Sequence, residues 1–444
     1  MVHESVVSES NYWRATRSHA PTAVPLTEAV RADVAVIGAG ILGCTASLRL
    51  AERGASVVVL EATDIGSGAS GRSGGFVVPN FAKVDPRDVV AALGVDQGER
   101  LLNLIGGAAN RVFGLVQEHA ISCDAGQAGW IQPAHTEATA ALIKQRAEQW
   151  TRRGKRVRVL DGKVTAEMSG CQGYVAAWID LEGGTIHPLN YVDGLARAAQ
   201  ARGVRIFSQS AVSGATHSGG EWHLHVNGLE VRAEKVLLCT NAFSIAGDLK
   251  ASQASIGRSL IALDIHQVAT ERLPNETRLH LLRHGQCLSD VRNNLFTYRL
   301  TADGRLISGG MAVTPLGTDR RMGERIVRRL AQMLRLKTIP KAEFIWKGRA
   351  AITHDFMPKL HELAPGFLAG VGCNGRGIAM TTVLGPVMAD YICGLPAADL
   401  PVPITQVRPF AVPAARTFLT SAALALGRYR DLVATMRSTQ RHER

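Results

Sequence analysis

The stretch 32–61, ADVAVIGAGILGCTASLRLAERGASVVVLE, changes its hydrophobic period twice. An unbroken apolar run, Val34 to Ile37, predicts a buried strand, the positions after it are spaced as in a helix, and a second apolar run ends on the carboxylate of Glu61. Strand, helix and strand in this order form the start of a parallel crossover unit. A second helix-strand unit follows later. His187-Pro188 opens a predicted helix over 189–202, Gly203 ends it, and 204–208 reads as a strand that rejoins the first sheet. Alternating runs at 222–226 and 230–233 suit a small antiparallel sheet, and 235–239 reads as another buried strand.

Between these units the pattern is mixed. Helical spacing predicts helices over 96–118, 136–153 and 322–336, and long strands are expected over 261–270 and 295–308, the latter broken by a turn at Ala302-Asp303-Gly304. Residues 1–30 read as an irregular lead-in, because Pro21 and Pro25 break any helix there. A final helix is expected over 378–393, with Pro386 inside it. The resulting division is 31–90, 183–245 and 345–400 for one domain, 91–182 and 246–344 for a second, and a tail over 401–444. That tail holds an apolar stretch, 418–426, too short to span a bilayer and expected to pack as a helix.

Composition narrows the class. At 444 residues, 46% hydrophobic and 20% charged, the chain has enough apolar side chains for a large core in two or three domains. No run reaches the length of a membrane span and the first residues are polar, so a cytoplasmic location is expected. The seven cysteines are scattered and never form C-x-x-C, which argues against a disulfide framework or a zinc site. His280 and His284 have metal-ligand spacing without a third ligand nearby, so no metal is expected. The formal charge of +12 raises nucleic-acid binding as a question. The basic clusters at 152–158 and 320–329 alternate with apolar residues at helical spacing and lack interleaved aromatics, so a solvated helix face is expected instead.

The glycines bring in chemistry. Gly38, Gly40 and Gly43 form G-x-G-x-x-G directly after the first strand, where a tight turn lets a pyrophosphate approach bare backbone N–H groups at a helix N-terminus. Glu61 lies about 20 residues on, where a ribose diol needs an acceptor. Gly66, Gly68, Gly71, Gly74 and Gly75 then crowd into ten positions, a segment able to lie flat against a large ligand.

These residues resemble the FAD-dependent amine oxidoreductases of the D-amino-acid oxidase superfamily, and are most like its gamma-glutamylputrescine-oxidising members. The resemblance is carried by V-I-G-A-G-I-L-G, Glu61 and G-A-S-G-R-S-G-G, by V-L-L-C-T-N-A at 236–242, and by Trp346-Lys-Gly. Thr353-His-Asp355 with Pro358 and the closing segment G-F-L-A-G-V-G-C-N-G-R-G-I-A-M at 366–380 complete it. It implies an α/β fold: a Rossmann-like, glutathione-reductase-like FAD-binding domain, interleaved with an α+β substrate domain on a mostly antiparallel sheet. Within it, Gly38, Gly40, Ile41, Leu42, Gly43, Glu61 and Ala62 would face the cofactor. So would Gly68, Ser70, Gly71, Arg72, Ser73, Gly74 and Gly75, then Val212, Thr240, Asn241, Ala242 and Trp346, and finally Gly372, Asn374, Gly375, Arg376 and Gly377.

The implied reaction is oxidation of the C–N bond of a primary or secondary amine to an imine, by transfer of a hydride equivalent to flavin N5. The amine is an amino acid, an N-alkyl amino acid or a gamma-glutamyl polyamine, and the electron acceptor is dioxygen or another species. Arg299 resembles a carboxylate-binding arginine, with a surface salt bridge as the alternative. Tyr298 and His354 are the other catalytic candidates, and Lys347 is a candidate for the cation that sets oxygen reactivity. The positions where relatives attach the flavin covalently hold Ala350 and Ala351, or Phe76 and Val77, so non-covalent FAD is expected. A hydroxy-acid dehydrogenase and a non-catalytic flavin-binding subunit stay open as alternatives, as does a homo-oligomer.

Overall fold

The computed structural model describes residues 11–245, 252–311 and 318–410, together with 426, 427, 429, 431 and 433. Two eight-stranded sheets organise them. The first has the parallel core that the apolar runs predict: Val30–Ile37 lies between Leu229–Leu238 and Val57–Leu60, and Val57–Leu60 pairs with Arg205–Phe207, all parallel. The 204–208 unit therefore does rejoin the first sheet. Phe367–Val371 adds a parallel strand beyond Leu229–Leu238, and Lys359–Ala364 closes that edge antiparallel.

Leu229–Leu238 is one strand where two were expected. Its first half pairs with Glu221–Val226, the middle of an antiparallel meander that begins at Val212–Ser218. Its second half pairs with Phe367–Val371. One strand serves both because its neighbour on that side changes halfway along, which a local period does not reveal.

The second sheet runs Ala342–Ile352, Ile261–Thr270, Leu306–Met311, Thr297–Leu300, Cys287–Ser289, Trp130–Ala134, Ala176–Asp180, Val157–Asp161. All its pairings are antiparallel except that of Cys287–Ser289 with Trp130–Ala134. The expected boundary at 345 falls inside Ala342–Ile352, which pairs along its whole length with Ile261–Thr270. This sheet therefore continues to Ile352. The helix expected over 96–118 is two, Val95–Gly106 and Ala108–Glu118, parted at Gly107. The apolar stretch 418–426 lies outside the described residues except for its last position.

The helix Ile41–Glu52 packs on the first sheet through Gly43, and here the glycine is forced by distance. A Cβ on Gly43 would lie 1.9 Å from the Gly38 carbonyl oxygen. The helix Gly377–Ile392 packs against Ile41–Glu52 just as closely, since a Cβ on Gly385 would meet Thr45 Oγ1 at 2.1 Å. Both helix N-termini thus stand at the carboxyl ends of the parallel strands, where open α/β sheets bind ligands.

The basic helix faces are solvated and paired. Arg320 and Arg328 both reach Glu324 on Thr318–Met333, and Arg153 pairs with Glu99. Among the described residues no helix is long and apolar enough to cross a membrane.

Substituting Gly43→Val drives the helix off the strand, an overpacking cost of at least about 1–3 kcal/mol. The expected result is a lower Tm by calorimetry together with loss of the ligand that the helix N-terminus faces.

Candidate active site

A cavity of about 1020 Å³ opens at the carboxyl edge of the first sheet. It is lined by Glu61, Ala62, Gln209 and Val212, by Gly38, Gly40, Ile41 and Leu42 of the glycine turn, and by Gly68, Ser70, Arg72, Ser73, Lys347 and Gly377. Thr240, Asn241 and Ala242 line one wall. Sequence reasoning missed Gln209, Phe243 and Thr381, which also line it and sit in no motif, and Cys373, which lies within the closing segment but was not singled out.

The glycine turn is held from outside the crossover unit as well as within it. Gly38 N donates to Leu60 O at 2.8 Å, and Ala39 N donates to Glu61 Oε2 at 2.8 Å. Ile41 N, the first of the helix, donates to Ser70 Oγ at 3.1 Å. Glu61 Oε1 accepts from Thr63 N at 3.0 Å, so the carboxylate that ends the second strand also fixes the start of the next loop.

The glycine-rich segment 68–75 is anchored almost entirely by donors from elsewhere. Asn11 Nδ2 donates to Gly71 O at 3.1 Å, Trp346 Nε1 to Arg72 O at 2.9 Å, and Trp13 Nε1 to Ser73 O at 2.7 Å. Arg299 Nη1 donates to Gly75 O at 2.9 Å and to Ile186 O at 2.6 Å. Gly75 has φ +77°, and a Cβ on it would lie 2.4 Å from Arg299 Nη1, so only glycine admits this contact.

The lead-in expected to be irregular therefore contains a short helix, Tyr12–Ala15, which with its cap residue Asn11 holds the glycine-rich segment. Its signal was the pair Tyr12-Trp13 standing alone in a polar stretch, since two adjacent aromatics need a buried surface. Both are buried, beside Leu189 and Trp346.

The three catalytic candidates part company. Arg299 is 2% exposed and makes no surface salt bridge; its Cζ lies 5.6 Å from the centre of the Trp13 ring and burial pushes its pKa down to about 10. It serves two backbone carbonyls through Nη1 and positions Gly75. Tyr298, its neighbour on the strand, points to the opposite face as strand geometry requires. Its hydroxyl donates to Ser169 O within an apolar cluster with Phe296 and Leu288, away from the cavity. His354 is exposed and stacks on Phe410 at 3.5 Å. Both corrections have one cause: the short motifs fix position along the chain but not which face of the strand or loop meets the site.

The remaining expected residues stand behind the cavity wall. Gly43, Gly71 and Gly74 are packing positions, and Trp346 is 1% exposed behind Arg72. Asn374 is buried and holds its own loop, accepting from Thr353 N at 2.9 Å and donating to Gly372 O at 2.8 Å. Gly375 lies at the loop tip with φ +76°, and Gly372 at its base with φ +86°. Arg376 turns toward the second sheet, its Cζ 5.1 Å from the centre of the Trp130 ring. Lys347 lines the cavity and pairs with Asp319 at 3.2 Å, and Asp319 also meets His266 at 3.0 Å.

Residues 33–391 match the sequence family described as FAD dependent oxidoreductase. The chain belongs to this family. It is similar to gamma-glutamylputrescine oxidoreductase of Escherichia coli (strain K12), 29% identical over 391 residues that cover 87% of this chain and 89% of that one. It is also similar to the probable oxidoreductase OrdL of Haemophilus influenzae, 30% identical over 83% of this chain and 85% of that one. In fold it resembles the glycine oxidase of Geobacillus kaustophilus, with a TM-score of 0.70 at 20% identity, covering 85% of this chain and 99% of the other. The family is FAD-dependent, and the cavity fits that cofactor: at about 1020 Å³ it is roomy, and its lining joins bare glycine backbone at a helix start with the acceptor carboxylate of Glu61.

His187 joins these parts. It caps the helix Pro188–Gln200, Nδ1 accepting from Asn190 N at 3.1 Å, while Nε2 meets Thr16 Oγ1 at 3.0 Å. Burial, and then the charge of Arg299, hold its pKa at about 4 against an ordinary 6.5. The unfolded chain therefore binds the extra proton first as pH falls. Stability from neutral His187 is complete above pH 6.5 and is lost on the way down to about 4, a change on the order of 3 kcal/mol. His187→Asn keeps a capping oxygen, and its unfolding free energy should lie flatter over that range in denaturant titrations. Trp13→Phe keeps the ring and removes the donor to Ser73 O; FAD titration followed by flavin fluorescence should show binding weakened roughly tenfold.

Proposed function

We propose that this protein oxidises the C–N bond of a primary or secondary amine to an imine, with FAD held non-covalently in the 1020 Å³ cavity. The observation that carries the reading is the continuity of that cavity, from the acid at the end of the second strand, across the glycine turn, to the start of the helix Gly377–Ile392. FAD supplies the acceptor for a hydride equivalent. The chain's own residues bind and orient. Glu61 would take the ribose diol, the N–H groups around Gly40 and Leu42 would take the pyrophosphate, and the N-terminus of Gly377–Ile392 would offer positive partial charge to the cofactor. The parallel sheet and its helices form the cofactor unit, and the antiparallel sheet covers it as the substrate unit.

The histidines favour an amine over a hydroxy acid. A hydroxyl must lose its proton to a base, whereas a neutral amine needs none. His187 is committed to a helix cap, His354 lies against Phe410, and neither these nor His266 is among the residues that line the cavity. The similarity to gamma-glutamylputrescine oxidoreductase and to glycine oxidase supports substrates among amino acids, N-alkyl amino acids and gamma-glutamyl polyamines. Lys347, placed on the cavity wall by its strand and fixed by Asp319, is the cation best situated to favour dioxygen as acceptor.

An anaerobic screen over those three substrate groups should bleach the flavin band with at least one of them, and readmitted air should restore it with release of hydrogen peroxide. A flavin band that no amine bleaches, while dithionite does, would remove the reading.

A further inference from the structure

The strands Leu229–Leu238 and Phe367–Val371 run side by side, with Val236, Leu237 and Leu238 opposite Phe367, Leu368 and Ala369. Continuing that register brings Asn241 opposite Gly372, and there the main chain has left the ladder, because Asn241 has turned left-handed at φ +46° into the short helical turn Asn241–Ile245. Its side chain takes the place of the missing carbonyl: Gly372 N donates to Asn241 Oδ1 at 3.0 Å. The other side of Gly372 is held in the same way. Lys359–Ala364 pairs antiparallel with Phe367–Val371 up to Lys359 opposite Val371, and the residue before it, Pro358, has no N–H to give. Gly372 O accepts instead from Asn374 Nδ2 at 2.8 Å. Asn374 is buried and left-handed too, at φ +49°, and its Oδ1 accepts from Thr353 N at 2.9 Å. Asparagine suits both places, since it tolerates this backbone and its carboxamide offers an acceptor and a donor.

What this clamp sets is the start of a helix. Gly372 has φ +86° and is seated so closely that a Cβ on it would lie 2.5 Å from Thr353 Cγ2, so its place is fixed from three sides. Soon after it Gly377–Ile392 begins, and no side chain of its first residue caps it. Cys373, Gly377, Ile378 and Thr381 line the cofactor cavity. The first N–H groups of a helix have no partner within it, and with the macrodipole they present positive partial charge. That charge acts only over the first turn. Its effect on a cofactor therefore depends on how firmly the helix start is held.

We propose that Asn241 and Asn374 are positioning residues: gripping Gly372 by its N–H and its carbonyl, they hold the start of Gly377–Ile392 against the cofactor and so raise the reduction potential of the bound flavin. This rests on the FAD site described above and is independent of which amine is oxidised. A reduced flavin carries more negative charge than an oxidised one, so a fixed positive helix end favours reduction, and an end free to drift favours it less. Asn241 stands on the cavity wall, whereas Asn374 is not among the residues that line it. An effect common to both must pass through Gly372.

The test is the midpoint potential of the flavin in the FAD-loaded protein, read by reductive titration against a reference dye, together with the melting temperature. Asn241→Gly removes the acceptor and adopts the left-handed backbone without strain, and Asn374→Gly does the same for the donor. Each should shift the equilibrium toward oxidised flavin about tenfold, a fall of about 30 mV. If Asn374→Gly does not fold, Thr353→Val takes its place, removing the hydroxyl that lies 3.2 Å from Asn374 Oδ1, with a smaller fall expected. Potentials unchanged from the parent, even with a lower melting temperature, would make the clamp merely structural and overturn the proposal. A fall confined to Asn241→Gly would overturn it as well, because it would mean that Asn241 acts by touching the cofactor. The titration needs no amine, so a failure of every amine to reduce the flavin would sink the proposed reaction and leave this result standing.

Discussion

The site depends on how a segment with almost no side chains is held still. Residues 68–75 place glycine at four of eight positions, so the segment has the backbone freedom to follow a flat ligand and little means to fix itself. The fold supplies the missing anchors from a distance. Carbonyls of residues 71, 72, 73 and 75 each accept from a side chain of another part of the chain: Asn11, Trp346, Trp13 and Arg299. Two of these donors come from the N-terminal helix and its cap residue, and two from strands of the second sheet. The crossover unit makes the turn that faces the cofactor, but the loop beside it is shaped by elements outside that unit.

The same anchoring separates two charges that a sequence treats alike. Arg299 is buried and Arg376 half-buried, and desolvation lowers the pKa of each to about 10 without removing its charge near neutral pH. Strand pairing aims Arg299 at the glycine-rich segment, where two carbonyl dipoles offset its desolvation. The loop that follows Phe367–Val371 aims Arg376 at the face of Trp130, where no such dipoles meet it. Position in the fold, rather than residue type, decides whether a cation meets backbone carbonyls or the face of a ring.

What was legible in the sequence was local. The apolar runs, the glycine triplet and Glu61 carry their meaning within about 30 residues, the span of one crossover unit, and the strands form where those patterns predict them. What was not legible joins positions remote in sequence. Asn11 and Trp13 meet partners 60 residues away, and Trp346 reaches Arg72 across 274. Tyr298 and His354 were chosen for closeness to a motif, but the face each presents is set by the sheet pairing and by Phe410. The expected boundary at 345 failed similarly, because the whole of Ala342–Ile352 finds its partner in Ile261–Thr270, beyond the reach of a window.

These long connections tie cofactor binding to the assembly of the whole molecule. A ligand that binds only the folded chain stabilises it by mass action, and here the folded feature that it needs exists only once the N-terminal helix, the first sheet and the second sheet have met. Trp13 shows the coupling in one residue: its ring packs against Trp346 and His187, its N–H holds Ser73, and Arg299 lies over its face. Loosening that seam need not disturb the parallel strands, whose cores are built from their own apolar runs. It would release the glycine-rich segment first. The affinity for FAD is therefore a more sensitive measure of the seam between the two sheets than the integrity of either sheet alone.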